Sequence, residues 1–160
     1  EFYSKMIQDV QHVLSHVGEE IPDLKDARLS VAGFVWFQGW NDMFDEQARI
    51  DYADNLTHLV SDVREAFGSP RLPVVIGETG NLGSDAGKNM QEIRRGQARA
   101  AVKIRPMGSA AFVSTTDFAR PKDFSPNVGH GHHWFGNAES YFLIGEALGE
   151  SMNRLQPAGN

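Results

Sequence analysis

The amino-acid sequence predicts an α/β fold in which helices connect the strands of a parallel sheet. Three apolar runs of strand length alternate with longer segments whose apolar residues recur at helical spacing. This alternation is the pattern of right-handed β-α crossovers onto one sheet. The 160 residues suit one domain of ordinary size, so residues 1–160 are expected to form a single domain.

The first three elements follow in the order helix, strand, helix. Residues 3–16 place apolar side chains at three- and four-residue steps, which predicts an amphipathic helix. Residues 30–37, SVAGFVWF, form a short apolar run that predicts a buried parallel strand. Residues 47–67 return to helical spacing and predict the second helix.

The second half of the chain repeats the alternation. The apolar run at residues 72–78 predicts a strand, residues 88–103 a helix and residues 109–115 the third strand. A long loop then leads to a last helix over residues 138–154. Asn137 suits the N-cap of that helix, because its side chain accepts a hydrogen bond from the first turn.

Composition excludes several classes of protein. Hydrophobic residues make up 41% of the chain and charged residues 22%, which favours a packed core over disorder. The net charge of −6, without a long basic run, argues against nucleic acid and an anionic membrane surface as partners. No cysteine is present, so disulfides and thiolate metal sites are excluded. No apolar run approaches the ~18 residues that a membrane span needs.

Polar residues follow each predicted strand, at the edge where parallel sheets place their working side chains. These stretches are QGWND at residues 38–42, ETGN at 78–81 and TTDF at 115–118. The loop GHGHHW, residues 129–134, is long enough to reach the same edge. The sequence therefore predicts a site at this edge.

The stretch QGWND carries two side-chain amides beside a glycine. Gly39 permits a sharp turn, and Gln38 and Asn41 offer N–H donors that could stabilise an oxyanion. The alternative is that Asn41 and Asp42 cap the next segment while the flanking tryptophans only pack.

The last loop contains three histidines within a stretch of four residues. His130, His132 or His133 could act as a general base. They could also bind a metal, although a run without a distant carboxylate or cysteine is a weak zinc signal. A solvated loop is the third interpretation.

Two acidic residues stand at strand ends. Glu78 could serve as nucleophile, base or acceptor for a sugar hydroxyl, or could simply bind neighbouring loop backbone. Asp117 could orient a histidine, as the third member of a catalytic triad does, or could belong to a turn.

The segments FVWFQGWND, LPVVIGETG and GHHWFGNAESYFLIGEALGESM together resemble the sialate O-acetylesterase-like carbohydrate esterases of the SGNH-hydrolase superfamily. The resemblance spans residues 31–152, with its specific parts in the first and last segments. It implies a three-layer α/β/α, flavodoxin-like sandwich. It also implies a Ser-His esterase mechanism that needs neither a metal nor another cofactor.

The stretch WFQGWND resembles the superfamily block that supplies an amide to the oxyanion hole. Gln38, Gly39 and Asp42 match the pattern of this branch, whereas Trp40 stands where the branch has a glutamate. The wider pattern Gly-x-Asn-Asp matches as Gly39, Asn41 and Asp42. The resemblance implies that Gln38 or Asn41 is the oxyanion donor. It places Gly39, Trp40 and Asp42 against the substrate.

The last block of the family carries the catalytic histidine. The resemblance makes His133 the base and puts the following Trp134 beside the sugar. The position three before it holds His130, where the family has an aspartate. Either another carboxylate orients the base, with Asp117 or Asp123 as candidates, or the alignment is shifted by one residue.

The block that carries the nucleophilic serine is not found in this chain. No serine follows a strand in a Gly-x-Ser setting, since Ser30 begins a predicted strand and Ser114 lies inside one. The first strand or strands and their serine are therefore expected upstream of residue 1. The chain would then be the C-terminal portion of the domain. A sheet edge left open in this way invites pairing with a second chain, which predicts a homo-oligomer.

The expected function is hydrolysis of acetyl esters on sugars, with an acetylated carbohydrate as the partner. The family implies an extracellular or periplasmic location. A glycoside hydrolase with Glu78 as catalytic carboxylate is the alternative, although such a barrel needs ~200 residues or more. A non-catalytic carbohydrate-binding fragment is the other alternative.

Overall fold

The computed structural model describes residues 2–156 and contains one parallel sheet of three strands. The strands are β1 (Phe34–Trp36), β2 (Val74–Gly77) and β3 (Ala110–Val113), in the order β1-β2-β3. In register, Phe34 pairs with Val74, which pairs in turn with Ala110. The predicted parallel α/β sheet is thus confirmed.

Four α-helices accompany the sheet within residues 2–156. They are α1 (Phe2–Glu20), α2 (Glu46–Ala66), α3 (Lys88–Ile104) and α4 (Ala138–Leu155). All four were predicted, and α1 runs four residues beyond its predicted end at residue 16. None of these helices is long and apolar enough to cross a membrane.

Side chains of the central strand point alternately to two helical layers. Val74 and Ile76 pack with α2 and α3 on one face, whereas Val75 packs with α4 on the other. All three side chains are fully buried. Burying each of these side chains stabilises the folded state by about 1.5–3 kcal/mol. Because β2 packs against helices on both faces, it forms the middle layer of an α/β/α sandwich.

Strand β1 is shorter than the predicted strand over residues 30–37. Its first ladder bond runs from Phe34 N–H to the carbonyl of Pro73, just before β2 begins. Residues 30–33 precede that point and have no strand beside them, so their apolar character alone does not make them a strand. The side chain of Val35 is 46% exposed at this edge of the sheet.

Side-chain caps fix the starts of α2 and α4. Asn137 Oδ1 accepts a hydrogen bond from Ser140 N–H at 3.1 Å, which confirms the predicted cap of α4. Asp45 Oδ1 accepts from Ala48 N–H at 2.7 Å and caps α2. Each cap typically contributes about 1 kcal/mol to helix stability.

Candidate active site

A pocket of about 500 Å³ lies at the carboxyl edge of the sheet. Residues 37–41 after β1, and Thr79 and Asn81 after β2, form one side of its wall. Residues 132–134 of the long loop and Tyr141 of α4 complete it. The carboxyl ends of two neighbouring strands and the histidine loop therefore meet, as the sequence predicts.

Most of the predicted site residues are brought together in this pocket. The wall includes Gln38, Gly39, Trp40, Asn41, His133 and Trp134. Asp42 does not line the pocket, but its Oδ2 accepts a hydrogen bond from the lining residue Gln38, through Nε2, at 2.6 Å. Glu78 and Asp117 are not among the lining residues.

Gln38 is held at its main chain and oriented at its side chain. Its carbonyl accepts hydrogen bonds from the hydroxyl of Tyr52 and from Gln97 Nε2, the latter at 2.9 Å. Its side-chain amide donates one N–H to Asp42. Within residues 2–156 the second N–H of that amide has no acceptor, so it can donate to a ligand.

Gly39 is a position where only glycine fits. Its φ of +157° lies in a region that L-residues rarely adopt. A Cβ atom at Gly39 would lie 2.7 Å from Ile93 Cγ2 on α3. The absence of a side chain therefore lets the loop after β1 rest directly on α3.

Gln97 links the loops that follow β1 and β2. This α3 residue is fully buried, and its Nε2 donates to the carbonyl of Gln38. Its Oε1 accepts from Thr79 N–H at 3.0 Å. Because one rigid amide bonds both loops, it fixes the spacing between the two sides of the pocket.

Arg94, one helical turn before Gln97, holds the loop that follows β2. Its guanidinium donates to the carbonyls of Thr79, Asn81 and Gly83 at 3.0, 3.1 and 2.9 Å. Asn81 in turn donates its side-chain N–H to the carbonyl of Gly131 at 3.2 Å. A chain of hydrogen bonds thus runs from α3 to the histidine loop.

The histidine rings lie in contact with one another and with the loop after β1. The ring of His132 lies 5.7 Å from that of Trp40 and 4.3 Å from that of His133, measured between centroids. Desolvation, followed by the neighbouring charges of His133 and His130, lowers the pKa of His132. Protonation of His132 at neutral pH is therefore disfavoured.

The backbone beside His133 is strained. Trp134 and Phe135 both adopt a φ of +52°, a left-handed conformation that is unfavourable for bulky residues. The indole of Trp134 is 95% buried and packs against Phe37, with ring centroids 6.3 Å apart. The carbonyl of His133 accepts a hydrogen bond from the hydroxyl of Tyr141 at 2.9 Å. Burial and this hydrogen bond hold the strained loop in place.

The structure does not bring the expected carboxylates to His133. Asp117 lies in a short turn after β3 with an exposed side chain, and its carbonyl accepts a bond from Arg120. Asp123 lines a different cavity. Within residues 2–156, no hydrogen bond joins the ring of His133 to a carboxylate. His132 also lines the pocket, so both histidines of the shifted alignment lie at the site.

Glu78 fastens the end of β2 to the end of β3. Its Oε2 accepts hydrogen bonds from Ser114 Oγ and Thr116 Oγ1 at 2.6 and 2.8 Å, and from Thr115 N–H at 3.0 Å. Burial alone would raise the pKa of Glu78, but these hydrogen bonds and the charge of Arg94 lower it on balance. This arrangement matches the interpretation in which Glu78 binds neighbouring loop backbone.

The lowered pKa of Glu78 predicts a loss of stability in acid. A carboxyl whose pKa is lower in the folded state stabilises the fold above its unfolded pKa, and that stability is lost as the pH falls through the folded value. Glu78→Gln should weaken the fold at pH 7 by about 1–3 kcal/mol and reduce the further loss below about pH 5. Urea unfolding at a series of pH values measures both effects. The exposed Glu65, changed in the same way, is the control, and equal pH profiles for both variants would contradict the assignment.

The described part of the chain contains no group of three or more histidine, cysteine, aspartate or glutamate side chains that could hold a metal ion. The metal-site interpretation of the three histidines therefore gains no support. Their rings stack on one another, with 5.1 Å between the centroids of His130 and His132.

Several residues of the site were missed by sequence reasoning. Thr79 and Asn81 belong to the glycine-rich loop after β2, whose position predicted a site without naming these two residues. Gln97 and Arg94 lie on the apolar stripe of α3 formed by Met90, Ile93, Ala100, Ala101 and Ile104. A polar residue at such a position is the signal that could have found them.

A scan against protein families matches residues 1–153 to the family described as carbohydrate esterase, sialic acid-specific acetylesterase. The matched region includes every residue that lines the pocket. Neither the curated proteins nor the solved structures give a match. The chain therefore belongs to the sialic acid-specific acetylesterase family of carbohydrate esterases.

Proposed function

We propose that this chain supplies the oxyanion donor and the general base of a carbohydrate acetylesterase. Family membership supports the hydrolysis of acetyl esters on sugars. One observation carries the division of roles: residues 37–41 and residues 132–134 line the same pocket. Amide donors and an imidazole thus share one space that can hold an ester.

The proposed reaction is a two-step acyl transfer. A serine oxygen attacks the acetyl carbonyl carbon while His133 takes the serine proton, and the sugar oxygen then leaves with that proton. Water, deprotonated by His133, next attacks the acetyl-serine and releases acetate and free serine. The amide donors stabilise the negative oxygen in both steps.

We assign the oxyanion donor to Gln38. Asp42 accepts one N–H of its amide, which fixes the amide plane and leaves the other N–H for the oxyanion. A donor that is already oriented stabilises developing charge without reorganisation. Asn41 is the second candidate. Both residues are exposed, but the side chain of Asn41 forms no hydrogen bond within residues 2–156 that would orient it.

We assign the nucleophile to a serine outside residues 1–160, upstream of the chain. Among the described residues, those that line the pocket include no serine. Asp117 receives no role in this proposal, because nothing in the described structure connects its side chain with His133. The family resemblance is the basis for including an extracellular or periplasmic location in the proposal.

Acetate release tests these assignments. The substrates are p-nitrophenyl acetate and an acetylated sugar, assayed with residues 1–160 and with a chain extended upstream through a strand followed by Gly-x-Ser. We expect activity only in the extended chain. In that chain, Gln38→Ala should lower kcat by about 10²–10³-fold, whereas Asn41→Ala should not. Inactivity of both chains would contradict the esterase, and full activity of residues 1–160 would contradict the upstream serine.

The other candidate functions fare differently. A glycoside hydrolase gains no support, because Glu78 is outside the pocket wall and the sheet is open with three strands. A non-catalytic carbohydrate-binding fragment is the other candidate, and it would bind its sugar in the same pocket. Sugar binding without acetate release in either chain would favour that alternative.

A further inference from the structure

A second cavity, of about 380 Å³, lies at the amino edge of the sheet, opposite the edge that carries the candidate active site. It is lined by the end of α2, by the turn that leads into β2 and by the segment before β3: Ser61, Arg64, Glu65, Gly68, Pro70 and Met107. None of these residues lines the pocket that contains His133. We call this space the amino-edge cavity, and a ligand in it would not occupy the ester pocket.

Arg64 places a buried positive charge beside this cavity. The residue is only 5% exposed. Its Nε and Nη2 donate to the carbonyl of Leu72 at 3.2 and 3.0 Å, and Nη2 also donates to the carbonyl of Ser109 at 3.4 Å. Within residues 2–156 Arg64 forms no salt bridge. Carbonyl oxygens satisfy its N–H groups but carry no net charge, so this cation lacks the opposite charge that would offset its burial.

Arg94, which is buried to the same extent, does have an opposite charge nearby. The carboxylate of Glu78 raises the pKa of Arg94 and partly offsets the effect of burial. For Arg64, burial lowers the pKa without a carboxylate to counter it. Both guanidiniums bind main-chain carbonyls, so they differ in whether a carboxylate accompanies the charge.

The charge of Arg64 reaches the cavity through Nη1. Among residues 2–156 this nitrogen has no acceptor. In the same part of the chain, no side-chain nitrogen or oxygen that is sealed from solvent lacks a hydrogen-bond partner. Nη1 is therefore accessible, and because Arg64 lines the cavity, that space is where Nη1 can donate. Its two N–H groups suit the oxygens of an anion.

Gly108 holds the guanidinium of Arg64 in place. Its φ of +151° is one that residues with a side chain rarely adopt. A Cβ atom there would lie 2.7 Å from Nη2 and 3.0 Å from Cζ of Arg64. The main chain before β3 therefore rests directly on the guanidinium, which is oriented before any ligand arrives. A donor that is already oriented loses little entropy on binding.

The charges around the cavity favour an anion. Arg71 and Arg105 line an adjoining cavity that shares Met107 with this one. Both arginines are exposed, and neither forms a salt bridge within residues 2–156. Glu65 supplies the one carboxylate among the residues that line the two cavities. Three arginines against one glutamate give a positive local balance in a chain whose net charge is −6.

The rest of the wall favours an organic anion over an inorganic one. Pro70 and the 48% exposed Met107 present apolar surface, and Ser61 adds one hydroxyl. One guanidinium nitrogen and one hydroxyl match the two oxygens of a carboxylate, whereas a phosphate has more oxygens to satisfy. The apolar wall suits a short hydrocarbon body attached to that carboxylate.

We propose that the amino-edge cavity binds a small organic carboxylate at a site separate from the ester pocket. The carboxylate accepts hydrogen bonds from Arg64 Nη1 and Ser61 Oγ, and its apolar body lies against Met107. This site does not depend on the proposed function, because none of the groups assigned to catalysis takes part in it.

Binding of butyrate to residues 1–160 tests the site. Butyramide has the same size without the charge, and inorganic phosphate has charge without an apolar body. Each probe is titrated at neutral pH and constant low ionic strength, while heteronuclear NMR follows the backbone amides of Gly68, Met107 and Gly108 and the side-chain N–H of Arg64. We expect saturable shifts centred on these groups for butyrate, with a Kd about tenfold lower than that for butyramide or phosphate.

The test variants leave Arg64 in place, because its removal would also disturb the main chain that it fastens. Glu65→Gln removes the carboxylate from the cavity wall and should tighten butyrate binding by about twofold. Met107→Ala should weaken butyrate binding by about threefold and affect phosphate little. Glu146→Gln removes the same charge from an exposed position on α4 and should change neither.

Each result of the titrations decides the proposal. Equal binding of butyrate and butyramide, shifts centred elsewhere, or no binding of any probe would overturn it. Phosphate bound more tightly than butyrate would replace the organic carboxylate by an inorganic anion. Butyrate binding that responds to Glu65→Gln and Met107→Ala but not to Glu146→Gln would support the site, whether or not the chain releases acetate.

Discussion

Arg94→Met is expected to lower the free energy of unfolding by about 3–5 kcal/mol. Arg94 is 95% buried, and its guanidinium supplies three hydrogen bonds to carbonyls of the loop after β2. Methionine fills similar space but leaves these carbonyls without donors. It also removes the positive charge that acts on the buried carboxylate of Glu78. Urea unfolding at neutral pH measures the difference.

The neighbouring Arg95 provides the matched control. It is exposed on the same helix, so Arg95→Met should leave stability nearly unchanged. Arg94→Lys keeps the charge but loses the planar fork that reaches three carbonyls, and an intermediate loss is expected. Equal midpoints for the two methionine variants would show that the buried hydrogen bonds do not stabilise the loop.

His133→Ala is expected to reduce kcat for ester hydrolysis by about 10²–10⁴-fold. The imidazole is proposed to accept the serine proton and is not proposed to bind the sugar. KM for an acetylated sugar should therefore change far less than kcat. The measurement uses the upstream-extended chain, in which the proposed nucleophile is present.

Two other histidines of the same loop serve as comparisons. His130→Ala should retain most of the activity, because His130 stacks on the other rings but does not line the pocket. His132→Ala should raise KM, because it removes a ring that lines the pocket and contacts Trp40. If His132→Ala instead abolishes kcat while His133→Ala does not, the base is His132 and the shifted alignment applies.

The order of helices and strands could be predicted from the sequence because the spacing of apolar residues within each element indicates its type. Helix α4 shows this well, since both its apolar period and its Asn137 cap are local features. Strand boundaries depend on a partner instead. Residues 30–33 look like the start of a strand, yet β1 begins at Phe34, opposite the first residue of β2.

The candidate site was only partly accessible to the same reasoning. The amides of Gln38 and Asn41 could be placed near the histidine loop because strand ends of a parallel sheet share an edge. The hydrogen-bond partners of the Gln38 carbonyl could not be predicted, because Tyr52 and Gln97 are far from Gln38 in sequence. The contacts of Glu78 likewise depend on where β3 ends, which local spacing does not fix.

Helix α3 contributes no residue to the pocket wall, yet Gln97 and Arg94 fasten the loops after both β1 and β2 to it. Neither loop can open by itself without breaking buried hydrogen bonds. Local opening of either loop is therefore tied to the same helix, and we expect the backbone amides of the two loops to exchange with solvent as one cooperative unit.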